Sequence, residues 1–450
     1  MVPPGLADAI DAFTTAMFMP WLVGILLLSG LFLTVRTGFV QVRRFAEAWS
    51  VAFVRRATGS TGAITPFQAF MTSIGASIGT GNIAGVATAI VSGGPGALFW
   101  IWVYGFVAMA IKFAEATLGL KYREVRGGSV LSGPMYYLRD GLKSPTLAWI
   151  FALVAAVAAL TTTPFTQPNS IALVVNSVFG IPKLAVGIIV AVLTWLVIIG
   201  GIKSIGRAAE KLSPLKVGLY LAGGLIVILF NAAKIPEVLA LVFREALTMK
   251  SGLGFGVFIA MRYGIARGVY ANEAGYGTAA VAFGTAQSSQ PVQQGLNAIV
   301  EVFTVSFVTS TISAMTILLT GVWQSGLTSS AAVAAGFNSV MPTFGGWIVA
   351  LCVFLFGYTT LIGWAYYGEQ FFEYILGRKV TLPYRWIYCL LIPFGAVTKV
   401  DLVWAWGDLM NALQVFPNLI GLLGLSGVVA KIARDHLVDG ATDVSKLERF

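Results

Sequence analysis

Apolar runs separated by short polar interludes fill almost the whole chain. Eleven stretches read as membrane-crossing helices, at 17–35, 65–92, 97–120, 148–177, 184–200, 217–231, 253–284, 296–320, 345–375, 386–400 and 402–430. The interludes differ in charge. That at 36–64 holds Arg36, Arg43, Arg44, Arg55 and Arg56 against one acid, Glu47, which assigns it to the cytoplasm and the N-terminus to the exterior. Alternating from there, the cytoplasmic loops hold 17 Lys and Arg. The exterior loops hold only Lys183, Lys234, Arg244, Lys250 and Lys399, and the C-terminus falls inside. A multi-pass protein of the cell membrane, surrounded by lipid bilayer, is expected.

Two stretches are too long and too interrupted to be plain helices. The one at 65–92 carries Gly75, Gly79, Gly81 and Gly85 around Ser77, Thr80 and Asn82. The one at 253–284 carries Gly264, Gly268, Gly275 and Gly277 around Tyr270, Asn272 and Glu273. They are the second and the seventh spans. With the first span set aside, ten remain, five opening on each broken segment. The expected organisation is a peripheral helix and basic loop at 1–64, repeats at 65–231 and 232–430, and a tail at 431–450. Five is odd, so the repeats enter the membrane from opposite sides. A glycine-interrupted segment at corresponding positions of two inverted repeats points to the binding site of a secondary transporter. Unwound backbone is tolerated in lipid only where it lines a buried site. Small-xxx-small spacing such as Gly75/Gly79 also serves helix packing, but the matched placement and interleaved polar residues favour a site.

A third irregular stretch, Thr161 to Asn169, sets Pro164 and Pro168 among threonines. Threonine hydroxyls can repair a proline kink, which is the structural alternative. Gln167 is the better binding candidate there, because its amide both donates and accepts.

Composition narrows the class. Of 450 residues 57% are hydrophobic and 11% charged, against roughly 25% charged in soluble domains. A soluble multidomain enzyme is excluded. The net charge of +10 is spread over short loops, so nucleic-acid binding is rejected. Cys352 and Cys389 lie in apolar stretches and form no disulfide framework. The one histidine, His436, sits in the polar tail, which leaves no membrane histidine for a triad or a zinc site.

The motifs resemble those of the alanine/glycine:cation symporter family, itself similar to LeuT-type carriers built as a 5+5 inverted repeat. The resemblance runs from about residue 20 to 430. It rests on Gly79-Thr80-Gly81-Asn82-Ile83-Ala84-Gly85, Gly93-Gly94-Pro95-Gly96-Ala97, Lys112-Phe113-Ala114-Glu115 and Gly133-Pro134-Met135-Tyr136-Tyr137. Asn272-Glu273-Ala274-Gly275, Gly363-Trp364-Ala365-Tyr366-Tyr367-Gly368-Glu369 and Pro417-Asn418-Leu419-Ile420 complete it. The family takes up alanine, glycine or similar small neutral amino acids with sodium. The resemblance implies that Asn82 and Gln167 hold the substrate's charged ends, with Tyr270 and Trp364 as walls. The family's usual stretch before the glutamine is Gly-Ile-Gly-Asn-Met-Val-Gln. Here threonines, Thr163 among them, and Pro164 replace small residues and asparagine, and this departure bears on which substrate fits.

An all-α integral membrane protein follows, with eleven spans and two broken helices, working as a sodium-coupled symporter and not as an enzyme. Free N–H groups of Gly79, Thr80 and Gly81 suit a carboxylate. Carbonyls of Gly75 and Ile78 with hydroxyls of Thr359 and Thr360 suit sodium, positions that match the cation site of LeuT-type carriers by resemblance. No cofactor beyond the coupling ion is expected. No Asp or Glu falls in 65–92, so the cation site is expected to be neutral. Proton coupling, the alternative, would need Glu115, Glu273 or Glu301. Lys112 and Glu115 are expected to pair with each other, and Glu273 with Arg267. Glu369, Glu373 and Asp408 receive no role.

Overall fold

The computed structural model describes residues 5–14, 16, 19–53, 60–126, 129–247 and 255–438. The expected span starts at 17 and 253, Arg55, Arg56, Lys250 and the tail at 439–450 lie outside the described residues. Helices carry almost all of the rest. Among the described residues the one sheet is a hairpin, Glu124–Arg126 against Ser129–Leu131.

Six helices are long and apolar enough to cross a membrane: Ala97–Lys121, Pro145–Phe179, Gly201–Phe230, Pro291–Leu319, Phe344–Leu376 and Arg378–Val397. Two bent pairs raise the number to eight. Pro66–Ser77 with Thr80–Gly93 turns by 61°, and Val400–Gly424 with Ser426–His436 by 57°. The eleven expected spans include three elements that fall short of this standard, namely Trp21–Arg36, Lys183–Ile198 and the broken segment around Glu273.

Two boundaries differ from expectation. The interlude expected at 201–216 is helical, because Gly201–Phe230 runs unbroken. Lys216, counted above among the loop cations, is therefore carried into the interior and is fully buried. At the other end, the tail is helical through Ser426–Val438.

Each break has a local cause. Thr65 and Gln68 form a reciprocal capping box that starts the first broken helix, with Pro66 at its first position. The helix ends at Ser77. Ile78 (φ −79°, ψ 75°) and Gly79 (φ −100°, ψ −167°) leave helical geometry, and the chain re-enters it through a tight turn at Thr80–Asn82. The second broken helix, Phe255–Asn272, ends at Glu273, which is left-handed at φ 56°. Gly275 (φ 99°) and Gly277 (φ 80°) continue this positive-φ path, which favours glycine, before Thr278–Gly284 resumes.

The broken helices pack with Ala97–Lys121 and Pro291–Phe303 into a central bundle. Thr163–Phe179 lies against Phe344–Leu376 and Thr381–Val397, and Gly201–Phe230 bridges Pro66–Ser77 to Phe344–Leu376. This packing sets the two breaks side by side.

Candidate substrate and cation site

A helix broken inside an apolar bundle leaves carbonyls at the end of one half and N–H groups at the start of the next. At the second break, N–H groups are the need and a carboxylate answers it. Glu115 accepts from the N–H of Gly275 (2.8 Å) and Gly277 (3.1 Å), and from the Asn418 amide (2.8 Å). Asn418 also donates to Gly275 O (2.8 Å) and accepts from the Tyr137 hydroxyl. At the first break, carbonyls are the need and an ammonium answers it. Lys216 Nζ donates to Ile78 O (2.6 Å), Gly75 O (3.0 Å) and Thr359 Oγ1 (2.6 Å). Each charge suits the sign of the helix end it meets.

This arrangement corrects two expectations. Glu115 does not pair with Lys112; its partners are the peptide groups of the second break. The oxygens of Gly75, Ile78 and Thr359, assigned above to sodium, are instead met by the Lys216 side-chain nitrogen. Thr360 does not contact the Lys216 nitrogen. Its hydroxyl donates to Ala76 O (2.8 Å) and Gly75 O (3.3 Å).

Lys112 joins the two breaks. Its Nζ donates to Asn272 O (2.6 Å) and to Glu301 Oε1 (2.7 Å), and neither side chain is more than 1% exposed. Glu301 accepts from Ser73 Oγ and Ser77 Oγ, both at 2.7 Å. The first broken helix has no acid of its own, yet a neighbouring helix supplies one to it.

Between the breaks lies a small pocket walled by Tyr270, Tyr276 and Trp364. Gly79, Gly81, Thr163, Gln167 and Thr360 also line it, so most of the predicted substrate residues converge there. The Gln167 amide oxygen accepts from Thr80 N (3.2 Å) and Thr80 Oγ1 (3.0 Å). Two of the three unwound N–H groups suited to a carboxylate are thus engaged, that of Thr80 by this amide oxygen and that of Gly79 by Ser77 O (2.9 Å). A β-carbon on Gly81 would stand 2.6 Å from the Tyr270 ring, so glycine there lets the tyrosine close over the break.

Asn82 sits behind this pocket and does not line it. Its Nδ2 donates to Ser77 O (3.0 Å) and Ala271 O (3.5 Å), and its Oδ1 accepts from Thr309 Oγ1 (3.4 Å). Three oxygens, drawn from both breaks and from the helix after them, therefore meet at one amide, whose own oxygen makes a fourth.

Glu273 is the pocket's one acidic side chain among the described lining residues, and the pairing with Arg267 expected for it does not occur. Arg267 binds Asp408 (3.0 and 3.2 Å) and covers the Trp404 ring. Glu273 has neutral partners only, Trp364 Nε1 (2.7 Å) and Thr278 Oγ1 (2.8 Å). Spacing suggested neither Asp408 as the partner of Arg267 nor the pocket role of Glu273, since each depends on contacts across the bundle.

Arg123 donates to the carbonyls of Gly284, Ala286, Thr61 and Ser288, and so ties the end of the second broken helix to the segment that precedes the first. Burial lowers the pKa of the Arg123 guanidinium from its ordinary value.

Two broken helices meeting at a buried pocket between them define a secondary transporter of LeuT type. Over 84% of this chain and 99% of the other, the fold matches that of MhsT in complex with L-phenylalanine, with a TM-score of 0.56 at 15% identity. The sodium/alanine symporter AgcS of Methanococcus maripaludis is 40% identical over 94% of this chain and 95% of its own. The amino-acid carrier protein AlsT of Bacillus subtilis is 34% identical over 92% and 89%. The model of the sodium:alanine symporter family matches residues 5–446, and the chain belongs to that family. It is a multi-pass membrane transporter, not an enzyme, and sodium is its coupling ion.

Proposed function

We propose that this chain carries a small neutral amino acid of the alanine or glycine type into the cell with sodium, by alternating access between inverted repeats at 65–231 and 232–430. The observation that carries this reading is the charge layout of the pocket. It presents one carboxylate, Glu273, with neutral partners only, opposite N–H groups of an unwound turn. A zwitterion complements both. Its ammonium faces Glu273, and its carboxylate takes the N–H groups of Gly79, Thr80 and Gly81 with the Gln167 amide. Thr163, Tyr270 and Trp364 limit the side chain to a small one.

The sodium ion is assigned to the oxygens gathered at Asn82, namely Asn82 Oδ1, Ser77 O, Ala271 O and Thr309 Oγ1. Neutral oxygen donors suit a hard cation. The position adjoins the turn that receives the carboxylate, so ion and substrate support each other's binding. One sodium is energetically adequate. A charge crossing 100 mV yields about 2.3 kcal/mol, and a tenfold sodium gradient adds about 1.4 kcal/mol. Together they support a several-hundredfold substrate gradient.

Purified protein in liposomes should accumulate labelled alanine or glycine under an inward sodium gradient and show saturation. Uptake that is equally strong in potassium, or that never saturates, would overturn the reading. Orientation has its own test. Residue 60 belongs to the basic loop assigned to the cytoplasm, and Ser329 to the opposite side. With Cys352 and Cys389 removed, single cysteines at Ser60 and Ser329 should react oppositely with an impermeant maleimide applied to intact cells. Labelling of position 60 from outside reverses the topology.

A further inference from the structure

The side chain at the first break that neither the substrate nor the sodium reading uses is Lys216. It is fully buried. It enters from a different helix and donates to three oxygens within 3.0 Å, two of them carbonyls at the end of Pro66–Ser77, those of Gly75 in its last turn and Ile78 at its cap. A fourth carbonyl, that of Ile74, lies at 3.5 Å, and the Phe356 ring sits 5.2 Å below the nitrogen. A neutral amine has two N–H bonds and a lone pair; two of these oxygens are carbonyls that cannot donate to it, and the Thr359 hydroxyl has Leu355 O (3.0 Å) and Phe356 O (3.1 Å) as acceptors for its own proton. An ammonium has three donors and no lone pair, and three oxygens are what it meets. No acidic side chain is hydrogen-bonded to it among the described residues, so its charge is balanced by carbonyl dipoles and one hydroxyl. Such an all-oxygen neutral cradle is also one that a small hard cation could occupy.

We propose that the Lys216 ammonium is a tethered cation filling what would otherwise be a second sodium site, so that this carrier moves one sodium ion per substrate molecule. The inference rests on the sodium-coupled reading above and deepens it. The ammonium holds the carbonyl end of the first broken helix to Thr359 on Phe344–Leu376, a task that in its absence falls to a diffusible ion. Because the lysine is part of the chain, this cross-link needs no sodium. Shortening its side chain should vacate the cradle while leaving every oxygen in place.

The experiment measures labelled sodium and labelled alanine entering the same liposomes. The wild-type ratio should be about one. In Lys216→Ala and Lys216→Ser the freed oxygens should accept sodium, the ratio should rise to about two, and the sodium dependence of uptake should change from hyperbolic to sigmoid. Lys216→Met fills the space without a charge and should show neither gain nor ordinary uptake. Should the short variants transport too slowly to count, sodium-induced thermal stabilisation in the absence of alanine supplies the readout. It should be steeper in Lys216→Ala than in wild type, and the added steepness should vanish in Lys216→Ala/Thr359→Val. A wild-type ratio of two overturns the proposal. So does a folded Lys216→Ala whose stabilisation by sodium matches wild type. Wild-type protein that moves alanine without sodium defeats the coupling reading instead, and the two failures are therefore distinct.

Discussion

Glu301→Gln is expected to lower the stability of the purified protein by on the order of 3–5 kcal/mol, the cost of stripping one partner from a buried ion pair. Lys112 would remain charged inside the bundle, with Asn272 O as its one other hydrogen-bond partner, and Ser73 and Ser77 would share a weaker acceptor. Lys112→Met should cost a comparable amount by leaving the Glu301 carboxylate unpaired. The double variant Lys112→Met/Glu301→Gln should lose clearly less than the sum of the two, because no uncompensated charge is left. Thermal unfolding of the four proteins in detergent decides this. Strictly additive losses would show that the two side chains do not act as a unit. Since this pair joins the first broken helix to the carbonyl of Asn272, the single variants should also transport poorly even when kept cold and folded.

Asn82→Ala and Gln167→Ala should both nearly abolish uptake at low sodium, but for different reasons that sodium titration separates. Each removes one partner of a buried charge, worth about 1–3 kcal/mol, hence roughly five- to 150-fold in affinity. Loss of the Asn82 oxygen acts on sodium. Coupling is reciprocal, so alanine affinity falls with it, and high sodium restores both. Loss of the Gln167 amide acts on the substrate carboxylate, and its defect persists at saturating sodium. Trp364→Ala should resemble Gln167→Ala and in addition release Glu273 from one of its two neutral partners. If both Asn82→Ala and Gln167→Ala keep wild-type half-saturation for sodium and alanine, the pocket and the ion lie elsewhere.

Apolar runs, glycine breaks and their spacing were enough to specify a membrane protein with two interrupted helices and to single out Gly79, Thr80 and Gly81 at the first break and Gln167 beside it, while Tyr270 and Trp364 came from the family resemblance. These features are legible because they are local. A helix needs a continuous apolar run to cross lipid, and a break needs residues that leave helical geometry. The charges were another matter. Lys216 looked like a loop cation because four basic residues between 203 and 216 interrupt the apolar pattern, yet the helix continues through them and turns only the last one inward. Lys112 and Glu115 are near neighbours in sequence, and their true partners, Glu301 and the N–H groups of Gly275 and Gly277, are 189 and at least 160 residues away. Arg267 likewise reaches 141 residues to Asp408 rather than six to Glu273. A buried charge is paired by whatever the bundle brings within about 3 Å of it, and that depends on how helices from opposite ends of the chain cross. Local sequence could therefore name where the backbone opens, but only the tertiary structure brings the Lys216 side chain to the carbonyls of the first opening.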